Sequence, residues 1–479
     1  MKNVAWSLAN AILGKGFSFV FTVIIGNLLL PSELGLFVTL LLVITYGANI
    51  FSLNLGGGMI QKLNSLNPSE KPASYFTAGL ISMVVLSFMA MLVFYLLRNS
   101  LIRLFDIPGA RDMMNLIYPL LILTMLRSYF SHLYQAQLRF RQLTVINMVA
   151  DLLQVLVTLL LLYLGYGLKG IFWALYVSSA VALVPLASDT LRKFGLEVNR
   201  TTLHSLKSLV GFSSIIFAGS IAVLLDQRID LIFVAHFLNN QEVALYGYVL
   251  KFALLFILFG YSISKVTYPR FTQSFASGSA DVGRVFRFSL NYTFFFVSII
   301  AMLFLLHARP IIGLILPDFY IRLIPYLLIL LMGVIPRAVL DSVGSLFTAK
   351  GLPSISVWLN WGLLAINIFL NLILIPRFGL YGAAVATTSS FLLKPLIMLV
   401  LINRKLKVDY PYWKLLANFL LFMLLMVSGY AIESYLLREI ILVGYIFYNF
   451  KWFLSRSEQQ YLCSELSRFN SRIMQLVRP

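Results

Sequence analysis

Apolar runs of about 20 residues recur along nearly the whole chain, separated by short polar or Pro- and Gly-containing breaks. A helix that crosses a bilayer needs roughly 20 mainly apolar residues, so each run predicts a membrane span. The pattern predicts six spans, a polar segment at 188–208, six more spans, and a last pair with more charge near its ends. In chain order the predicted spans are 4–30, 34–55, 75–97, 116–136, 145–164, 170–186, 210–237, 243–266, 288–306, 323–347, 355–375, 380–401, 415–432 and 436–453.

Composition agrees with this pattern and excludes a soluble protein, since 60% of the 479 residues are hydrophobic and only 11% are charged. The predicted class is an all-α polytopic membrane protein with about 14 transmembrane helices. Lys and Arg number 37 against 18 Asp and Glu, which we interpret as basic cytoplasmic loops rather than a nucleic-acid surface. No cofactor or metal site is predicted, because the four histidines are scattered and the residues around Lys15 do not form a phosphate-binding loop.

The basic residues predict the orientation. With the N-terminus in the cytoplasm, the basic clusters at 192–207, 265–287 and 404–414 all fall on the cytoplasmic side, as the positive-inside rule requires. An even number of spans then places the C-terminus in the cytoplasm as well. The basic tail at 454–479 is expected to form an amphipathic helix on anionic lipid.

The first six spans and the next six repeat one design, about 210 residues apart. The sequence LGYGLKG at 164–170 corresponds to PRFGLYG at 376–382, each between the fifth and sixth spans of its half. Because six is an even number, the two copies have the same topology, which predicts parallel repeats with a substrate site between them, as in many transporters. The predicted domains are an N-lobe at 1–187, a cytoplasmic linker at 188–208, a C-lobe at 209–402, extra helices at 403–453 and a tail at 454–479.

Ten charged side chains lie inside the predicted spans and away from their ends, where each costs about 2.5–3.5 kcal/mol at the bilayer centre. We therefore expect them to face protein or water. Arg127 and Arg337 occupy equivalent positions of the two repeats, and with Lys15 and Lys251 around one cavity they would form a receptor for phosphate oxygens; Arg228 is a further candidate. The full set is Lys15, Arg127, Arg228, Lys251, Arg337, Lys394, Asp151, Asp226, Asp230 and Asp341.

Simpler roles stay open for several of these charges. Arg337 and Asp341, four residues apart, would neutralise each other on one helix face, and Lys394 is expected to extend its amine to the cytoplasmic boundary. Asp226 and Asp230 share one face of a continuous seventh span, away from Arg228. They would either hold a proton or cation for coupling or pair with a basic residue of another helix. Gly56 to Gly58 are expected to form a flexible helix end or a point of close approach to substrate.

Five segments resemble the polysaccharide biosynthesis flippases, which include the O-antigen flippases and belong to the multidrug/oligosaccharidyl-lipid/polysaccharide exporter superfamily. They are NLLLPSELGLF at 27–37, GMIQK at 58–62, the stretch 230–247, YPRF at 268–271 and NLILIPRFGLYGAA at 371–384. The resemblance implies two six-helix lobes plus two extra helices. It also implies transfer of a polyprenyl-diphosphate-linked glycan, such as an O-antigen unit of lipopolysaccharide, across the bacterial inner membrane.

The expected function is accordingly that of a flippase, not an enzyme, which alternates access to a cationic cavity. Lys15, Arg127, Lys251 and Arg337, with Arg228, are the expected substrate contacts, and Asp226 or Asp230 is the expected coupling residue. Membrane lipids and other polysaccharide assembly proteins are the expected partners. The alternatives are a drug/cation antiporter of the same superfamily, which would favour an acidic cavity, and a membrane-embedded glycan polymerase, which would need a large external loop.

Overall fold

A computed structural model describes residues 2–64, 71–105, 110–198, 200–276, 281–406, 408, 410–432, 434–460 and 462–464. Every regular element within these ranges is helical. Eleven helices in the described ranges are long and apolar enough to cross a membrane. The prediction of an all-α polytopic membrane protein is therefore confirmed.

The chain forms two compact units, 1–247 and 248–479. The first contains nine helices in its described residues and the start of a tenth: α1 Lys2–Leu28, α2 Pro31–Phe51, α3 Leu55–Asn64, α4 Pro72–Leu104, α5 Ala110–Ala136, α6 Phe140–Tyr163, α7 Gly167–Phe194, α8 Arg200–Asp226, α9 Ile229–Phe237 and α10 Asn240–Ala276. The second unit begins within α10. It continues with α11 Asp281–Leu306, α12 Ala308–Ile315, a 3-10 helix Asp318–Leu323, α13 Ile324–Asp341, α14 Leu346–Ala349, α15 Pro353–Leu406, α16 Tyr412–Ala431, α17 Tyr435–Tyr448 and a π-helical turn Asn449–Phe453.

Each predicted span falls on one or more of these helices. The 54-residue α15 carries the predicted eleventh and twelfth spans, which meet at a non-helical glycine, Gly379. The last predicted span, 436–453, covers almost all of the 14-residue α17 and the whole π-helical turn that follows it. The total of 14 membrane crossings stays a prediction, as do the five predicted domain ranges.

Exposed apolar stripes indicate that these helices face hydrocarbon rather than water. On α4, Val85, Phe88, Leu92 and Leu96 repeat at helical spacing and are 53–69% exposed. A water-soluble protein would bury such a stripe, whereas hydrocarbon solvates it. The exposed surfaces of the long apolar helices are thus suited to contact with lipid acyl chains.

The internal repeat is visible in backbone conformation. Gly167 and Gly379, which correspond in the two copies, both have positive φ, at 52° and 58°, a conformation that a side chain disfavours. Three residues later, a Cβ on Gly170 would lie 2.8 Å from the Leu161 Cβ, and one on Gly382 would lie 2.1 Å from the Leu374 carbonyl oxygen. In both copies the sixth helix therefore starts at a glycine turn and packs directly against the fifth.

The structure corrects two predictions of continuous helix. The second predicted span stops at Phe51, where Leu53 and Asn54 adopt positive φ, and the chain resumes as α3. Gly56 and Gly58 therefore belong to a helix instead of a flexible helix end. A Cβ on Gly56 would lie 2.5 Å from the His132 ring and one on Gly58 would lie 1.9 Å from the Ser213 hydroxyl, so these glycines allow α5 and α8 to pack closely.

The seventh predicted span is also interrupted. α8 ends at Asp226 and α9 begins at Ile229, with Gln227 and Arg228 in a turn between them. The predicted shared face of Asp226 and Asp230 assumed one straight helix, and this interruption removes that basis for the prediction.

A close helix contact yields a first stability prediction. A Cβ on Gly35 of α2 would lie 1.6 Å from the backbone oxygen of Asn240, so Gly35→Ala must displace the start of α10. We expect a loss of about 1–3 kcal/mol or more from overpacking, measured as a lower thermal midpoint in detergent. Gly211→Ala in α8 is the matched control, because nothing lies within 4 Å of its Cβ position, and it should be neutral or slightly stabilising. Equal midpoints for the two variants would contradict the contact.

Candidate functional site

Arg127 of α5 lies in a polar cluster inside the first unit. Its Nη2 is 3.6 Å from Asp151 Oδ1 and donates to the Asn147 side-chain oxygen at 3.2 Å, both on α6. Its Nη1 donates to the Ser178 hydroxyl of α7 at 3.4 Å. Three helices thus position one guanidinium, and the acidic partner comes from a different helix from the arginine.

A cavity of about 540 Å³ opens beside this cluster. It is lined from α1, α2, α5, α6 and α7, and its polar lining includes Arg127, His132, Gln135, Asn147 and Asp151. The Arg127 and Asp151 side chains are 23% and 24% exposed, so solvent reaches both members of the pair. The cavity can therefore admit a polar ligand to a cation that protein groups hold in place.

The second unit contains a more deeply buried charge cluster. Asp341 Oδ1 accepts a hydrogen bond from the Lys394 amine at 3.1 Å, and Asp341 Oδ2 lies 3.6 Å from Arg337 Nε. The Arg337 guanidinium also stacks over the Phe391 ring, 4.1 Å from its centroid. Arg337 and Asp341 are 2% and 4% exposed. One carboxylate thus bridges two cations in the interior, with a formal charge of +1.

This cluster bears on the sequence interpretations. Arg337 pairs with Asp341, as the i,i+4 spacing allows, and it is almost fully buried. Lys394 does not extend to the membrane boundary as predicted. Its side chain is only 15% exposed because the amine binds Asp341, 53 residues earlier in the chain.

The two predicted coupling carboxylates have different surroundings. Asp230 Oδ2 accepts a hydrogen bond from the Tyr246 hydroxyl at 2.8 Å, and Oδ1 accepts the Leu231 backbone N–H at 2.9 Å at the start of α9. Asp230 therefore stabilises a helix N-terminus and ties α9 to α10. Asp226 ends α8 and is 8% exposed, whereas Arg228, in the turn between the helices, is exposed.

The structure gives only partial information on the two predicted lysine contacts to substrate. Lys15 lies within α1, and its side chain is outside the described residues. Lys251 lies on α10, in the second unit, and is partly buried. The predicted placement of these lysines and both arginines around one cavity stays a prediction.

Sequence reasoning missed the neutral polar groups of the site. Asn147, Ser178 and His132 lie within apolar runs, and their polarity inside predicted spans was the signal that could have identified them. The second unit holds a comparable pair on α15, Asn367 and Asn371, both fully buried. A search limited to ionised residues overlooks groups that orient a charge by hydrogen bonding.

Comparisons of the sequence identify its family. The profile of a family described as polysaccharide biosynthesis protein matches residues 24–325. The chain is 24% identical over 220 residues to the probable low-salt glycan biosynthesis flippase Agl15 of Haloferax volcanii. This match covers 46% of this chain and 46% of the relative. The chain is also 23% identical over 254 residues to the succinoglycan biosynthesis transport protein ExoT of Rhizobium meliloti. This match covers 53% of this chain and 49% of the relative. The matched regions span about half the length of these curated relatives.

Two solved structures of membrane transporters have a fold similar to that of this chain. The structure of the lipid II flippase MurJ in an inward closed conformation superposes with a TM-score of 0.74 at 13% identity, covering 93% of this chain and 98% of that one. An inward-facing multidrug transporter of the MATE family gives a TM-score of 0.62 at 15% identity, covering 89% and 99%. These likenesses show a shared fold. Since the family profile covers well over half of the sequence, the chain belongs to the polysaccharide biosynthesis protein family.

Proposed function

We propose that this protein moves a polyprenyl-diphosphate-linked oligosaccharide from the cytoplasmic to the outer leaflet of a bacterial inner membrane by alternating access. Family membership and the relatives' names support a glycan-related transporter. The observation that carries the substrate class is the Arg127 guanidinium, held by three helices at the wall of an open cavity. A fixed guanidinium matches phosphate oxygens in a way that the sugars and the apolar tail do not.

The Arg127–Asp151 pair gives this site a means of responding to substrate. A diphosphate that approaches Arg127 competes with Asp151, and the differential affinity of the cavity for substrate in two conformations would shift the balance between them. Asn147 and Ser178 keep the guanidinium oriented while its acidic partner is exchanged. The Arg127 guanidinium is thus oriented to bind an anion, and Asp151 compensates its charge when no anion is bound.

The remaining charges receive secondary roles in this proposal. Lys15, Lys251 and Arg228 are further head-group contacts, and Arg337 supports the second unit through Asp341. Asp226 or Asp230 is the proposed coupling carboxylate, and Asp230 also accepts hydrogen bonds from Tyr246 and from the start of α9. Both termini are assigned to the cytoplasm, with membrane lipids and other polysaccharide assembly proteins as partners.

The test is transport in proteoliposomes that contain the purified full-length protein. A polyprenyl-diphosphate-linked oligosaccharide is incorporated on both leaflets, and an added glycosidase reports the fraction exposed outside over time. The wild type should make the protected fraction accessible, and Arg127→Ala should slow this at least about tenfold. Arg103→Ala, an exposed arginine of α4, is the matched control and should behave as the wild type.

Two results would contradict the proposal. One is unchanged translocation in Arg127→Ala at matched protein incorporation. The other is efflux of a cationic dye by liposomes that fail to translocate the glycan lipid, which would favour the antiporter alternative.

A further inference from the structure

A separate cavity of about 660 Å³ lies at one end of the second unit. It is enclosed where α11 begins, where α16 begins, and where the π-helical turn 449–453 leads into the C-terminal segment. Its floor is apolar, with Phe288, Pro411 and Phe453, and its remaining lining is polar or charged. The cavity is therefore amphipathic and made from three separate parts of the chain.

Glu458 fastens the C-terminal segment to this site. Its carboxylate accepts hydrogen bonds from the Asn291 amide at 3.0 and 3.3 Å and from the Ser455 backbone N–H and hydroxyl at 2.7 and 2.8 Å. The Tyr292 hydroxyl donates to the Glu458 carbonyl at 2.6 Å. Glu458 is 7% exposed, so its charge is satisfied within the protein and the wall of the cavity is fixed.

Tyr410 also contributes to the hydrogen bonds that hold Glu458 in the cavity wall. Its hydroxyl donates to Asn291 Oδ1 at 2.7 Å, which orients the Asn291 amide toward Glu458. Burial raises the pKa of the Tyr410 phenol well above its usual value, so the hydroxyl remains a donor at physiological pH. The cavity wall is thus a connected hydrogen-bond network.

Three cations line the cavity near helix N-termini. Arg284 and Arg287 lie in the first two turns of α11, and Lys414 lies in the first turn of α16, which has no acidic residue there. Cations are unfavourable at a helix N-terminus, because the helix dipole is positive at that end. With three cations and one carboxylate, Glu458, the described part of the lining carries a formal charge of +2. An anion in the cavity would offset these side-chain charges and the dipole of α16, whose first turn has no acidic residue.

Exposed aromatic residues next to the cavity are typical of a membrane interface. Trp413 and Trp452 flank the lining residues Lys414 and Phe453 and are 73% and 60% exposed. Leu416, Leu420 and Leu424 then form an exposed apolar stripe along α16. Tryptophan is enriched where headgroups meet hydrocarbon, and such a stripe faces acyl chains.

We propose that this cavity binds the phosphate-bearing headgroup of an anionic membrane lipid, with the phosphate near Arg284, Arg287 and Lys414 and the acyl chains along α16. An amphipathic cavity with a net positive rim, open beside a lipid-facing stripe, fits such a lipid better than a free anion. The site is independent of the proposed transport reaction and of the Arg127 cavity in the first unit. Through Glu458 and Phe453, occupancy would also hold the C-terminal segment against α11 and α16.

The experiment measures lipid binding to the delipidated full-length protein in detergent by native mass spectrometry. We expect phosphatidylglycerol to bind the wild type at least about tenfold more tightly than phosphatidylcholine. The triple variant Arg284→Gln/Arg287→Gln/Lys414→Gln should lose this preference. Arg287→Gln alone, at an exposed residue, should weaken binding by about threefold and guards against misfolding of the triple variant.

The matched control, Arg270→Gln/Arg404→Gln/Lys405→Gln, removes the same charge from exposed residues of the second unit outside the cavity lining. It should keep the lipid preference. If it loses as much binding as the cavity variant, general electrostatic attraction explains the lipid and the cavity assignment is overturned. Inorganic phosphate should compete only weakly; competition as strong as that of the lipid would overturn the lipid as the ligand source.

Discussion

Asp341→Ala is expected to destabilise the second unit by about 3–5 kcal/mol, the range found when one partner of a buried ion pair is removed. The change would leave Arg337 and Lys394 facing each other across the vacated position, with Arg337 only 2% exposed. Arg337 is almost fully buried and cannot be solvated without a movement of its surroundings, whereas the Lys394 side chain is 15% exposed. The measurement is the thermal midpoint of the purified protein in detergent, together with the yield of monodisperse protein.

A matched set of variants separates charge from packing. Asp341→Asn keeps the size of the side chain but removes its charge, so it should be almost as destabilising as Asp341→Ala. The triple variant Arg337→Met/Asp341→Leu/Lys394→Met removes all three charges and should recover most of the lost stability, because apolar groups of similar volume replace buried ion pairs at little cost. Stability in Asp341→Asn equal to that of the wild type would show that the carboxylate charge is not needed.

Arg127→Ala and Asp151→Asn are expected to change transport in opposite directions. Removing a charged contact to a desolvated ligand costs about 2–5 kcal/mol, and each 1.4 kcal/mol corresponds to about tenfold in binding. Arg127→Ala should therefore raise the half-saturating concentration of the glycan lipid at least about tenfold. Asp151→Asn removes the competing carboxylate from a pair that solvent already reaches, and it should lower that concentration by about threefold.

The opposite signs distinguish a binding role from a structural one. If the pair only holds α5 to α6, both variants would lower the thermal midpoint and impair transport alike. Arg127→Lys is the conservative comparison. It keeps the charge but loses the geometry that contacts Asn147 and Ser178 together, so an intermediate affinity is expected.

The fold was predictable wherever its cause is local. A span depends on the length and hydropathy of one segment, so helices were predicted at all the positions where the structure has long apolar ones. The repeated sequence located the breaks at 167 and 379 between the fifth and sixth spans of each half, and both glycines have the positive φ that glycine tolerates best. The interruptions after Phe51 and Asp226 were missed, since the flanking segments are apolar and hydropathy runs through them.

The charged residues of the candidate site were predictable from the sequence, but their pairing was not. Charged residues within spans are expected to be functional or paired, which singled out Arg127, Asp151, Arg337 and Asp341. That Arg337 meets Asp341 follows from four-residue spacing on one helix. That Arg127 meets Asp151, and Lys394 meets Asp341, depends on how separate helices rotate and pack, which spacing along the chain does not specify.

By itself, the sequence determined that this protein is a membrane-embedded helical chain, built from a repeated unit, with charges inside its spans that must face protein or water. Only the tertiary structure decided that Arg127 is presented at an open cavity while its counterpart Arg337 is buried against Asp341 and Lys394. The reason is physical. Insertion into a bilayer depends on the apolar surface of each segment alone, whereas the surroundings of a charge depend on which helices pack around it.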